Sequence, residues 1–391
     1  MNHSVQHSRL IQIMVLSALM AFTSLSTDIY LPAMPFMQLD LQGNIELTIT
    51  SFLIGFAIAQ LVWGPISDQI GRKKPLFIGM ILFVIGSVGC ALSETIYQII
   101  FWRVIQAIGA CTGPMLARAI IRDLYDRVEA TQMLSTLTII MAVAPIAGPL
   151  IGGQILKFTS WHAMFWLLAM IGLVMFFCLF LLPETRKKSD LKITIKQAFS
   201  NYKYLFKKWI FIRYVLALTA FYVAAYTFII GSPFVYISYY HIEPQHYGWL
   251  FSINIIGLML MSFINKKLVK HVHLHVLLKY SSMLAMLAMM TLVILFFSHF
   301  MSLITLVVLL FVFFSMNGVI AATSTAAALD SVPEIAGSAS ALMGAMQYGS
   351  GIISSILLTL WRTDSAESMI VIMAIFTVLS ALISMLPHHE K

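Results

Sequence analysis

Long apolar runs, each broken off by a cluster of Gly, Pro or charged residues, recur along this chain from Leu10 to Leu386. A run of about 20 apolar residues is what an α-helix needs to cross the ~30 Å hydrocarbon core of a bilayer. Twelve such runs can be read, near 9–33, 45–66, 75–92, 97–120, 130–156, 161–183, 210–238, 245–265, 276–297, 300–326, 337–362 and 366–387. The first runs past signal-peptide length into Thr27, Asp28, Ile29 and Tyr30 with no small-residue cleavage pattern, so it is expected to stay as the first span. With 391 residues, 60% of them hydrophobic and 10% charged, little chain remains for loops. That balance excludes a secreted domain, a nucleic-acid binder and a large extramembrane enzyme module. The expected fold class is an all-α integral membrane protein, twelve transmembrane helices in two six-helix pseudo-symmetric bundles.

The formal charge of +8 has a topological reading. With both termini in the cytoplasm, 21 of the 24 Lys and Arg residues fall inside: Arg9, Arg72, Lys73, Lys74, Arg118, Arg122, Arg127, eight from Arg186 to Lys208, Arg213, Lys266, Lys267, Lys270, Lys279 and Lys391. Only Lys157 and Arg362 fall outside, and Arg103 lies within a span. Cytoplasmic loops retain such an excess, so an even number of spans with both ends inside is expected, and no nucleic-acid partner is needed.

The longest polar interval, Glu184 to Lys208, divides the chain into a first bundle (1–183), a cytoplasmic linker (184–209) and a second bundle (210–391). Within it, 193–209 places Ile195, Phe199, Tyr202, Phe206 and Trp209 on one helical stripe, with Lys192, Lys196, Lys203 and Lys207 around the other side. Such a basic amphipathic helix suits the inner leaflet; the plainer alternative is an inter-half linker with no further role. Two six-span halves around a linker is the arrangement of parallel repeats flanking a midplane site.

Only one acid, Asp28, and one base, Arg103, are embedded in spans. A charge at membrane depth costs at least ~2.5–3.5 kcal/mol on insertion scales, so such residues face a cavity or a partner. With the first span ending near Met34 and the fourth starting at Tyr97, each lies about six residues, or ~9 Å, below the outer surface. The two can therefore lie at one level and are expected to pair if the first and fourth spans are neighbours. The pair reads either as a proton site, loaded or released as the separation changes, or as a static staple between two helices. Pro32 and Pro35, beside it, are expected to bend the first span.

Between the second and third spans stands GPISDQIGRKKPL (64–76), with Gly64, Asp68, Gly71 and Arg72. The fourth span carries RVIQAIGACTGP (103–114) and ends in RAIIRDLYDR (118–127). The fifth carries APIAGPLIGG (144–153), whose glycines allow close backbone approach and whose prolines bend the helix. With TDIYLPAMP (27–35), these strings resemble the motifs of the major facilitator superfamily, specifically its twelve-span drug/proton antiporters. GSPFVYISYY (231–240), QHYGWLFSINIIG (245–257) and AGSASALMGAMQYGSG (336–351) resemble the bicyclomycin-resistance and chloramphenicol-efflux (Bcr/CflA) subfamily, so the resemblance covers almost the whole chain.

The resemblance implies roles residue by residue. Asp28 matches the acid used in proton coupling, and Arg103 the arginine that communicates with it. Gly64, Asp68, Gly71 and Arg72 match the loop motif that gates the inner side, although Gln69 stands where that motif commonly has Arg. Pro145, Gly148, Pro149, Gly152 and Gly153 match the antiporter motif, which seals the fifth span against leak and permits bending. The implied function is proton-coupled multidrug efflux by alternating access from a bacterial inner (plasma) membrane. The implied partners are small amphipathic drugs or metabolites, protons and the lipid bilayer, with a monomer as the working unit.

A polyspecific site needs apolar and aromatic walls with few polar fixtures. Tyr30, Gln106, Tyr222, Tyr226, Asn254 and Gln347 are the cavity candidates; taken singly, each aromatic also fits an interfacial or packing role. His271, His273 and His275 have no carboxylate or Cys beside them, so no metal is expected, and Cys90, Cys111 and Cys178 lie in apolar runs and suggest no disulfide framework. There is no P-loop and no catalytic constellation, so no cofactor and no enzyme activity are expected, and the proton gradient is the expected driving force. The nearest rival is a dedicated exporter of a metabolite, amino acid or siderophore. An uptake symporter is disfavoured by the antiporter string, and a receptor or scaffold would need no embedded Asp28.

Overall fold

The computed structural model of the chain describes residues 3–125, 127–185, 195–361 and 365–386. Among these residues, eleven helices are long and apolar enough to cross a membrane. The remaining expected span, 130–156, falls in one continuous helix, Arg127–Phe158, with an apolar stretch at Val143–Phe158. The protein is an all-α, multi-pass membrane protein.

The first half of the chain holds α1 (His3–Asp28), α2 (Met34–Leu41), α3 (Glu46–Ile70), α4 (Lys73–Ala91), α5 (Ile96–Ala110), α6 (Thr112–Leu124), α7 (Arg127–Phe158) and α8 (His162–Cys178). After α9 (Ile195–Lys207) come α10 (Trp209–Pro233), α11 (Pro244–Leu268), α12 (Leu274–Phe297), α13 (Leu303–Asp330), α14 (Ala336–Leu360) and α15 (Glu367–Met385).

The first span does not stop near Met34. After α1 ends at Asp28, a turn of 3-10 helix covers Leu31–Ala33, and α2 carries the span on to Leu41. Pro32 and Pro35 stand in the first turns of these short helices. There a missing N–H has no intrahelical acceptor to lose, so each proline starts a helix as well as ending the one before it. The fourth span is interrupted once, at Cys111, between α5 and α6. The seventh runs through Pro233 into a π-helical stretch, Phe234–Tyr239.

The chain divides into two compact units, Met1–Ala198 and Phe199–Lys391. In the first, α3 packs on α5, α4 on both α5 and α8, and α1 on α7. In the second, α11 packs on α13, α12 on both α13 and α15, and α10 on α14. Counted as spans, the pairs 2 with 4, 3 with 4, 3 with 6 and 1 with 5 recur as 8 with 10, 9 with 10, 9 with 12 and 7 with 11. The repeat is therefore one of packing order, as in transporters built from parallel repeats. Small residues make the closest seams: Gly86 lies on the backbone of Gln106, and Gly318 on the backbone of Leu258 and Ser262.

Two cations at the start of α10 serve helix ends. Lys208 Nζ donates to the carbonyl of Ser331 just past α13, at 2.6 Å, and Arg213 Nη1 to the carbonyl of Leu386 just past α15, at 2.9 Å. Positive charge at a helix C-terminus complements both the unfilled carbonyls and the macrodipole. Ser380 Oγ, donating to the carbonyl of Ala217 at 2.7 Å, ties α15 to α10 further along.

Candidate functional site

Arg103, on α5, has no exposed surface. Its Nη1 donates to the carbonyl of Ser26 at 3.0 Å and to Gln106 Oε1 at 2.7 Å; Nε reaches the carbonyl of Thr48 at 3.3 Å, and Nη2 the Tyr30 hydroxyl at 3.3 Å. The guanidinium lies 4.3 Å from the ring centre of Phe52 and 4.7 Å from that of Tyr30. Gln106 Nε2 in turn donates to Ser87 Oγ at 2.8 Å. One guanidinium thus joins α1, α3 and α5 directly, and α4 through Gln106. Its planar fork and its affinity for aromatic faces suit it to this task.

The expected pair with Asp28 is not what Arg103 makes. Asp28 is 6% exposed, and its Oδ1 accepts from Thr27 Oγ1 at 2.8 Å. No cation pairs with it among the described residues. The reason lies in helix geometry: Ser26 and Asp28, two residues apart, point ~200° away from each other. Arg103 takes the side of Ser26 and Tyr30, where a carbonyl in the last turn of α1 lacks its helical donor. Asp28 turns the other way, onto α7.

On that side stands the antiporter string. A Cβ at Gly148 would lie 3.2 Å from the Asp28 Cβ and 3.3 Å from the Ile29 nitrogen. A Cβ at Gly152 would collide with the Ile29 carbonyl oxygen, so the backbone of α7 rests directly on the end of α1. Gly153 and Pro149 are buried beside them, and Pro145 is half-buried one turn earlier. The structure therefore brings Asp28 together with Gly148 and Gly152, which the sequence had assigned to separate roles.

The loop motif forms a second cluster. Gly71, at φ +95°, turns the chain so that the backbone nitrogens of Arg72 and Lys73 both face the Glu184 carboxylate, at 2.9 and 3.1 Å. Glu184 thus occupies the N-terminus of α4, where backbone N–H groups and the helix dipole favour an anion. Arg72 Nε pairs with Asp123 Oδ2 at 2.9 Å, its Nη1 donates to Ser67 Oγ at 2.8 Å, and Thr185 Oγ1 reaches the same Asp123 oxygen at 3.2 Å. Sequence reasoning missed both acids. The signal for Glu184 was a carboxylate just after an apolar run, in a chain whose helix α4 begins with no acid in its first turn. Gly64 has open space where a Cβ would stand, and the side chain of Asp68 lies outside the described residues.

The cavity candidates separate into two kinds. Tyr30 and Gln106, expected as cavity candidates, are fully buried and bonded into the Arg103 cluster, Tyr30 also to Thr48 Oγ1 at 3.1 Å. Their hydrogen-bonding groups are already spent on protein. In the second unit, Tyr222 and Tyr226 are half-buried neighbours on α10, with ring centres 6.3 Å apart, and Tyr222 faces Asn317 and Tyr348. Gln347 is half-buried on α14. Asn254 is buried, with neither amide atom bonded among the described residues, and Asn317 Oδ1 is likewise unfilled.

A family model described as Major Facilitator Superfamily matches residues 16–355. The chain belongs to that superfamily; it is a membrane transporter and not an enzyme. It is 28% identical to the bicyclomycin resistance protein homolog of Haemophilus influenzae over 96% of each chain. It is 34% identical to the uncharacterized MFS-type transporter YdgK of Bacillus subtilis, over 96% of this chain and 94% of that one. Among solved structures it is similar to the xylose transporter XylE from E. coli, with a TM-score of 0.77 and 16% identity over 97% of this chain and 98% of that one. That last likeness shows the fold alone.

Proposed function

We propose that this chain is a proton-driven exporter of small amphipathic compounds, working by alternating access in a bacterial inner membrane with both termini in the cytoplasm. The observation that carries the reading is Asp28: a buried carboxyl with one hydroxyl donor and no cation among the described residues, set against the Gly148 and Gly152 backbone. An acid kept at membrane depth is costly and marks a proton or ion path. Its neighbour is a helix carrying two prolines, the part of the first unit best able to bend.

In this reading Asp28 carries the proton and Arg103 holds its helix in place. Proton arrival from outside relieves the charge at Asp28 and loosens or tightens the seam with α7. Substrate enters from the cytoplasm and the proton leaves. A membrane potential contributes ~2.3 kcal/mol per charge per 100 mV to each cycle. Tyr222, Tyr226, Asn317 and Gln347 offer aromatic surface and neutral hydrogen-bonding groups, which favours amphipathic cargo held without a fixed counter-charge. The working halves are 1–183 and 210–391, joined by the linker 184–209, and one chain is sufficient. The similarity to a bicyclomycin resistance protein homolog supports drugs as cargo.

The test is a drug-susceptibility panel in an efflux-deficient host, with drug-induced proton movement in proteoliposomes. Export and proton counterflow are expected for the wild type and lost in Asp28→Asn, with the folded protein still present in the membrane. Full activity in Asp28→Asn overturns the assignment, and co-directional flux of proton and substrate overturns export.

A further inference from the structure

The linker helix α9 has two unlike faces. Tyr202 and Leu205 are buried, Asn201 Nδ2 donates to Ser338 Oγ at 3.2 Å, and Lys208 Nζ holds the carbonyl of Ser331. One side of the helix is thus anchored to the connection between α13 and α14, inside the second unit. Sequence patterning had put Tyr202 and Phe206 on one stripe; the packing separates them, because Leu205 completes the buried face.

The opposite side is left uncovered by the described residues. Lys203, Tyr204, Phe206 and Lys207 are exposed, as is Trp209. At ~100° per residue, Lys203 and Lys207 share one stripe, with Phe206 and Tyr204 to either side and Leu205 and Tyr202 behind. Two further facts say what belongs on this face. The span α10 begins at Trp209, two residues after α9 ends, so the helix end stands at the edge of the hydrocarbon. In addition, aromatic rings flanking lysines match the interfacial layer, where rings sit at headgroup level and ammonium groups reach phosphate.

We propose that the exposed face of α9 is a docking surface for anionic phospholipid headgroups of the adjoining leaflet. Lys203 and Lys207 meet the phosphates, and Tyr204, Phe206 and Trp209 enter the interfacial layer around them. The buried side of the same helix grips the α13–α14 connection, so lipid charge bears on the second unit through a rigid element. None of this depends on which cargo the protein moves or whether a proton drives it.

The test uses the full chain reconstituted in phosphatidylcholine bilayers containing brominated phosphatidylglycerol or brominated phosphatidylcholine at equal mole fraction. Quenching of Trp209 is read as wild type minus Trp209→Phe. Stronger quenching by phosphatidylglycerol is expected in the wild type, and the preference falls about fivefold for each lysine in Lys203→Gln/Lys207→Gln, ~1 kcal/mol apiece. Lys203→Arg/Lys207→Arg keeps the preference. High salt applied to the unmodified protein lowers it by screening, which gives the same comparison without any substitution. Equal quenching by the two lipids in the wild type overturns the proposal, and so does a preference that survives both the glutamine pair and high salt.

Discussion

Gly148 and Asp28 meet across the seam between α7 and α1, with the place of a Gly148 Cβ only 3.2 Å from the Asp28 Cβ. The absent side chain of one residue thereby sets the room available to the carboxyl of the other. Gly148→Ala requires a shift of a few tenths of an ångström. It is expected to leave the fold intact and reduce transport several-fold, read as drug accumulation in whole cells. Gly152→Ala meets the Ile29 carbonyl oxygen itself, and overpacking of that kind costs ~1–3 kcal/mol. Its effect belongs on the melting temperature in detergent, not on transport alone.

Arg103 is expected to behave as a structural centre. Truncation to Ala leaves the Ser26 and Thr48 carbonyls and the Gln106 amide without their donor, and each buried acceptor left unfilled costs about 1–3 kcal/mol. Arg103→Lys keeps the charge but loses the fork and the ring contacts, so it too should melt early. A thermal shift for both variants, beside an unshifted Asp28→Asn, is the expected pattern. Equal stability of Arg103→Lys and wild type counts against it.

At the mouth of α4, Glu184→Ala removes an anion from a helix N-terminus and is expected to cost about 0.5–2 kcal/mol. Gly71→Ala adds a Cβ 2.7 Å from a Glu184 carboxylate oxygen, on a residue at φ +95°. The two substitutions act on one contact, so their thermal penalties should fall short of additive in the double variant.

Asn254 offers a sharper discrimination. A buried amide with no partner is destabilising, and replacing it by an apolar residue of like shape is neutral or favourable. Asn254→Leu is expected to raise the melting temperature. If substrate supplies the missing bonds, transport of hydrogen-bonding drugs falls at the same time, whereas a purely structural amide gains stability with no change in transport.

Much of the architecture was legible because lipid is a strict solvent. Apolar runs of span length can do little else, and the few charges within them stand out for the same reason, so Asp28 and Arg103 were visible at once. Their partners were not. Whether Arg103 meets the carboxyl of Asp28 or the carbonyl of Ser26 turns on which side of one helix faces α5, and hydropathy does not encode that rotation. Pro32 was read as a bend, yet α2 follows it, since a proline ends or starts a helix according to what comes after. Tyr30 and Tyr222 are the same residue type, each read as a cavity candidate. The bonds that close over Tyr30 and its full burial tell them apart. The linker lysines were counted as topology, and one of them, Lys208, proves also to finish a helix.

The grip of Arg72 and Lys73 on Glu184 joins residues more than a hundred positions apart. During synthesis the end of α4 waits for its anion until the whole first half and the start of the linker have left the ribosome. A split gene that ends the first fragment at residue 183 would deliver that half with α4 uncapped and Arg72 short of Thr185 beside its partner Asp123. Two fragments meant to reassemble into a working protein should therefore be cut beyond Thr185, so that the first half carries its own closing residue.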